Sequence, residues 1–174
     1  QGTAWSAGTF DDATWASGPA VLGWGGTQTT TIGATKPVTT YFRKTISIAD
    51  PLAFTSLHLR VLRDDGAVVY VNGVDVFRSP TMPQPPTPIV YTTLATNLSV
   101  ANAPSDNTID QATISSSALV AGQNVIAVEV HQHRGDSSDL SFDLELVANL
   151  VPRPQQLGVI RFGDELVLHW SDAS

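Results

Sequence analysis

Five residues, Leu22-Gly23-Trp24-Gly25-Gly26, bracket a tryptophan with glycines. An indole standing clear of its own backbone offers a flat apolar face with a polar edge, the shape on which the C–H face of a sugar ring packs. The alternative is that Trp24 turns inward and closes one end of the fold, since large aromatic side chains are highly buried on average. Tyr91, beside a proline-rich stretch, is a lesser candidate ring; Trp5 admits either role and Trp15 reads as core. Asp64, Asp65, Asn72 and Arg78 are the polar groups expected to bind the hydroxyls of such a ligand.

Paired acids suggest cations. Asp64-Asp65-Gly66 sets two carboxylates side by side, a pairing that a hard ion such as Ca²⁺ exploits and through which a glycan can be bridged. The competing reading is a hairpin turn whose Asp side chains cap backbone N–H groups. The same two readings apply to Asp11-Asp12, and Asp139 and Asp143 are further carboxylates for a structural calcium ion; neither Asp pair has EF-hand spacing. His131 and His133 are two apart, so on a continuing strand both rings face one way, with Asp136 and Asp139 close behind. Arg134-Gly135 turns the chain there, which favours a hydrogen-bonding role for His131 at the strand's end over a metal site. For catalysis there is no Gly-x-Ser-x-Gly elbow, no His-Glu-x-x-His helix and no phosphate-cradling loop. Ser137 and Ser138 neighbour His131 and Asp139 only in sequence, which is not a triad.

The elements that must hold these groups are strands. Helical periodicity is almost absent, and runs rich in Val, Ile, Thr and aromatics recur between Gly, Pro, Asn and Asp clusters. Strands are predicted at Thr40 to Ile48, Ser56 to Arg63, Ala67 to Asn72, Val74 to Arg78, Asn124 to His131 and Leu140 to Leu150, with weaker ones near Ile89 to Leu94 and Thr108 to Ile114. Apolar residues alternate along Leu57-His58-Leu59-Arg60-Val61-Leu62-Arg63, so one face is buried and one wet, as in an antiparallel sandwich. Asp64-Asp65-Gly66 and Asn72-Gly73 are both hairpin signals, and together they predict a three-strand meander. Five prolines between Ser79 and Pro88 exclude a sheet strand there. That stretch and Val100 to Asp110 read as long loops rimming the sandwich, where binding usually resides.

Length and charge narrow the partners. A chain of 174 residues is enough for one well-buried domain but short for two. With 16 acidic against 9 basic residues the net charge is -7, which repels phosphate backbones and gives no footprint for nucleic acid. No run approaches the length of a membrane span, and the absence of cysteine excludes disulfides and thiolate metal sites. Residues 1–150 are expected to form the sandwich. Val151-Pro152-Arg153-Pro154 reads as a linker, followed at Leu157 to Trp170 by two short strands about Gly163-Asp164; these either open a second domain spanning 151–174 or complete the first sandwich. Asn97-Leu98-Ser99 matches a glycosylation acceptor, a tripeptide common by chance.

Three segments carry a family resemblance: Phe10-Asp11-Asp12-Ala13-Thr14-Trp15 running to Gly23-Trp24-Gly25, Leu62-Arg63-Asp64-Asp65-Gly66-Ala67-Val68-Val69-Tyr70-Val71-Asn72-Gly73, and Leu119 to Gln132 with Ser137 to Leu144. They resemble the galactose-binding-like jelly-roll domains attached to large secreted bacterial proteins. The resemblance implies an all-β, antiparallel jelly-roll β-sandwich of roughly eight or more strands. It also implies a secreted or cell-surface parent with neighbouring domains, and a following segment similar to an immunoglobulin- or fibronectin-like module. Domains of this kind serve as carbohydrate-binding modules, calcium-stabilised spacers or adhesion units, and the fold alone does not choose among them. The expectation taken forward is a non-catalytic module that binds a neutral polysaccharide, with a structural or adhesive spacer as the alternative and a metal-dependent hydrolase using His131 and His133 third.

Overall fold

The computed structural model describes residues 2–33, 35–96, 108–152, 155–162 and 165–172. Its strands are β1 (Leu22–Trp24), β2 (Thr30–Thr31), β3 (Thr39–Ile48), β4 (Phe54–Arg63), β5 (Gly66–Val71), β6 (Val74–Arg78), β7 (Thr108–Ser115), β8 (Gly122–His131), β9 (Leu140–Leu150), β10 (Gln155–Phe162) and β11 (Glu165–Asp172). β1 to β9 make two facing sheets, ordered β2-β1-β9-β4-β7 and β3-β8-β5-β6. Every pairing is antiparallel except the short β1·β2 contact. The chain is an antiparallel jelly-roll β-sandwich.

Alternation decides which side chains meet between the sheets. On β4, Leu57, Leu59 and Val61 are buried while Arg60 between them is exposed. They join Trp24, Leu140 and Phe142 of their own sheet and Ala67, Val69, Val71, Ile126, Val128 and Val130 of the other in one apolar core. Phe42 and Phe142 stack across it at 4.2 Å. β8 departs from alternation because both its faces are covered: eight consecutive residues, Asn124 to His131, are buried.

What covers the outer face of the four-stranded sheet is the N-terminal segment together with the proline-rich segment that reads as a rim loop. The N-terminal segment lays Trp5, Phe10 and Trp15 against Val125, Ala127, Tyr41 and Tyr70. Arg43 of β3 clamps that segment, pairing with Asp12 at 2.8 Å and donating to the carbonyls of Trp5, Ala7 and Phe10. The proline-rich segment lays Met82, Ile89 and Ala95 against Val68 and Tyr70. Gly66 is required beneath it, since a Cβ there would lie 2.6 Å from the Met82 sulfur and 2.8 Å from the Ala95 Cβ.

Three expectations change. Asp64-Asp65-Gly66 is not a hairpin: β4 pairs with β7 and β9 while β5 pairs with β8 and β6, so the chain crosses from one sheet to the other at this corner. The meander reduces to the β5–β6 hairpin, whose Asn72-Gly73 turn has the left-handed φ values of 52° and 82° that such a turn requires. Ile89 to Leu94 is not a strand, because residues 79–96 use their backbone to cap and cover rather than to extend a ladder. The strands β1 and β2, too short to show a period, were not anticipated. The pair predicted at Leu157 to Trp170 is present as β10 and β11, in register from Gln155↔Asp172 to Phe162↔Glu165. Most of the connection Val100 to Asp110, the tripeptide Asn97-Leu98-Ser99, the linker residues 153–154 and the turn at 163–164 lie outside the described residues.

Candidate functional site

Trp24 does not stand clear of the sandwich. It faces inward on β1 and is 5% exposed, so it offers no ring face to a ligand, and its glycine neighbours serve another purpose. A Cβ on Gly23 would fall 1.8 Å from the Leu140 carbonyl oxygen, and one on Gly25, at φ 79°, would fall 2.4 Å from the Ser138 carbonyl oxygen. The glycines let β1 press against β9.

The expected polar contacts are also structural. Asp64 and Asp65 are buried at the sheet-to-sheet corner, and one oxygen of Asp65 accepts from both the backbone N–H (2.9 Å) and ring Nδ1 (2.7 Å) of His133. Asn72 donates to Ala118 O and Asn124 Oδ1 and accepts from Val125 N, each at 2.8 Å. Arg78 pairs with Asp75 and holds the carbonyls of Pro83 and Thr87, which anchors the proline-rich segment.

The groups expected to hold metal are dispersed. Asp11 caps Ala13 N, Asp12 pairs with Arg43, Asp139 accepts from Ser138 Oγ, and Asp143 accepts from Leu144 N on the outer face of the other sheet. His131 and His133 bind different partners, because β8 ends at His131 and the chain turns. Among the described residues no three His, Asp or Glu side chains come together as a metal cage.

Tyr91 is the predicted ligand-binding residue that does reach an open cleft. The cleft, of about 140 Å³, lies on the outer face of the four-stranded sheet between the N-terminal segment and the proline-rich one. Trp5, Tyr41, Tyr70 and Tyr91 line it with Ile89, and Glu129 of β8 is its one charged lining residue among those described. Each comes from a different place: Trp5 from the 3-10 turn Thr3–Ser6, Tyr41 from β3, Tyr70 from β5 and Tyr91 from the covering segment. Trp5 packs on Tyr41 at 4.5 Å and edge-on to Tyr70 at 5.6 Å, so the rings brace one another. Tyr91 is 40% exposed.

Glu129 is 5% exposed, and its Oε1 accepts from the Tyr70 hydroxyl at 2.6 Å. Its Oε2 lies 3.2 Å from His131 Nε2, close enough for charge pairing if the ring is protonated but not aligned as a hydrogen bond. The other nitrogen of His131, Nδ1, carries a hydrogen, because it faces the Thr93 carbonyl at 2.7 Å while Thr39 Oγ1 spends its own proton on Tyr91 O. His131 is thus the strand-end hydrogen-bonding group anticipated from sequence, and with Thr39 it pins the segment that carries Tyr91.

The carboxylate marks the phenols around it. Burial, the hydrogen bond to Glu129 and its charge push the Tyr70 hydroxyl far above the ordinary tyrosine range, and burial followed by the charges of Glu129 and Tyr91 raises Tyr41 to about 12. A raised folded-state pKa favours the protonated native form, so stability from Tyr41 is complete below its unfolded value of 10.0 and is lost as pH rises toward about 12. The thermal midpoint should therefore start to fall above pH 10 as tyrosinate absorbance grows. A Tyr41→Phe variant should show a shallower fall; an identical alkaline profile would contradict this placement of Tyr41.

A larger groove, of about 260 Å³, crosses the outer face of the five-stranded sheet, but among the described residues no aromatic ring lines it, and its Arg60 and Glu145 pair with each other at 2.8 Å. No family model matches the chain, and no curated protein sequence matches it. Among solved structures it is similar to part of a β-glucuronidase from Bacteroides uniformis, with a TM-score of 0.53 and 17% identity, covering 85% of this chain and 16% of that one. An α-L-rhamnosidase from Dictyoglumus thermophilum matches at a TM-score of 0.40 and 14% identity, over 78% of this chain and 12% of that one. The chain therefore spans less than a fifth of either protein, and the first likeness bears on the fold.

Proposed function

We propose that this domain is a non-catalytic carbohydrate-binding module of a larger secreted protein, and that its sugar occupies the cleft between Trp5 and Tyr91. The observation that carries this reading is an open recess in which the exposed Tyr91 and the half-buried Tyr41 and Tyr70 meet one carboxylate, with the buried Trp5 bracing the tyrosines from behind. Sugar recognition needs an apolar face for ring C–H groups and fixed acceptors for hydroxyls, and the cleft has both. It is smaller than the roughly 300–1,000 Å³ of a drug-sized pocket, so one sugar unit or a chain end fits better than a long oligosaccharide. The resemblance to galactose-binding-like domains and the likeness to a small part of a β-glucuronidase suit an accessory role beside a glycan-processing neighbour.

A spacer role is the second reading, favoured by the burial of Trp24, Asp64 and Asp65. Calorimetric titration against a panel of plant, microbial and animal glycans separates the two. Binding of at least one glycan is expected, with Tyr91→Ala weakening it about tenfold or more, as loss of a stacking partner does, while the melting temperature moves little because the ring is partly exposed. A panel that stays blank, or a Tyr91→Ala variant that binds like the parent, would replace the module by the spacer.

A further inference from the structure

The charge inside the cleft points to a narrower ligand class, an inference that rests on the carbohydrate reading above. We infer that the cleft selects an ammonium group, and that its preferred sugar is an amino sugar carrying a free amine.

Glu129 is buried, and a buried carboxylate is stable only with compensating charge or a full set of donors. It has one aligned donor, the neutral Tyr70 hydroxyl. The nearby cations are already engaged: Arg78 pairs with Asp75 at 2.7 Å and Arg43 with Asp12 at 2.8 Å. The imidazole of His131 is the remaining neighbour and lies out of line for a hydrogen bond. The raised pKa of both Tyr41 and Tyr70 is in part the effect of this negative charge on the cleft walls.

The walls themselves favour a cation. Aromatic faces present negative potential, and a ring of them around a recess attracts ammonium groups more than it attracts hydroxyls. Tyr91, Tyr41 and Tyr70 supply those rings, with Trp5 buried behind them, and no lysine or arginine lines the cleft among the described residues. The net charge of -7 adds attraction at longer range. A neutral sugar would use the rings but leave Glu129 with the Tyr70 hydroxyl as its one aligned donor and His131 at 3.2 Å as its one charge partner. An amine supplies a further partner directly.

The test is calorimetric titration of the intact domain with paired sugars that differ only at C2, namely glucosamine against glucose, galactosamine against galactose and mannosamine against mannose, together with tetramethylammonium as a sugar-free probe. At least one amine should bind about tenfold or more tightly than its hydroxyl partner, with the margin narrowing as salt rises. Glu129→Gln should remove the margin while neutral-sugar binding persists. Should that variant fail to fold, Tyr91→Ala should weaken tetramethylammonium and the amino sugar together. Equal affinities within every pair would overturn the amine inference and leave the carbohydrate reading standing. Tetramethylammonium binding with no sugar bound would overturn the amino-sugar assignment and leave only selection of an ammonium group, and silence from every probe would remove the amine inference, with the glycan panel deciding the carbohydrate reading.

Discussion

Arg63→Ala is expected to destabilise the sandwich by about 3–5 kcal/mol, the range for removing one partner of a buried ion pair. Arg63 shares the inward face of β4 with Leu57, Leu59 and Val61, and none of its surface reaches solvent. Its guanidinium pairs with Asp110 of β7 through Nε at 2.8 Å and Nη2 at 3.5 Å, and Nη1 donates to the Asp65 carbonyl at 2.6 Å. One side chain thus ties the sheet-to-sheet corner to the edge strand. Truncation leaves the Asp110 carboxylate, whose side chain is only 14% exposed, facing a void. For a domain of this size the loss corresponds to a fall of about 6–20 °C in melting temperature. Arg63→Met keeps much of the volume and should still be destabilised, whereas combining it with Asp110→Leu should recover most of the loss, because the buried charge is gone. Chemical denaturation in which Arg63→Ala stays within about 1 kcal/mol of the parent would show that the pair contributes little.

The same corner marks where sequence reading reached its limit. Alternation is a local property, so Leu57 to Arg63 announced both a strand and its buried face, and Asn72-Gly73 announced a turn that only left-handed residues make. Asp64-Asp65-Gly66 carries a turn signal of equal strength, yet a turn signal records that the chain bends and not which sheet receives it. The segment 79–96 poses the same difficulty: its prolines exclude a ladder, but its docking on Val68 depends on Met82, Ile89 and Ala95, which have no period. The cleft was less legible still, because it joins Trp5, Tyr41, Tyr70, Tyr91 and Glu129 from five separate segments. One signal was available. Glu129 interrupts the apolar run Val125 to Val130, and an acid inside a strand covered on both faces must be serving a partner.

Gly23→Ala is expected to approach the cost of taking a tryptophan out of the core, about 3–5 kcal/mol. The new Cβ would sit 1.8 Å from the Leu140 carbonyl oxygen and 2.8 Å from its carbon, and both are backbone atoms that cannot rotate away. β1 is three residues long and is held to β9 by the pairs Leu22↔Phe142, Gly23↔Ser141 and Trp24↔Leu140, so the cheapest relief is for it to lift off. Leu22 and Trp24 then leave the core with it. Tryptophan emission should shift to the red and the melting temperature should drop, and the red shift should vanish in a Trp24→Phe background. Gly26→Ala is the control, since its Cβ meets only the end of the flexible Gln28 side chain. A Gly23→Ala variant with the stability and emission of the parent would mean that β1 does not press on β9, and with that the account of the buried Trp24 would fail.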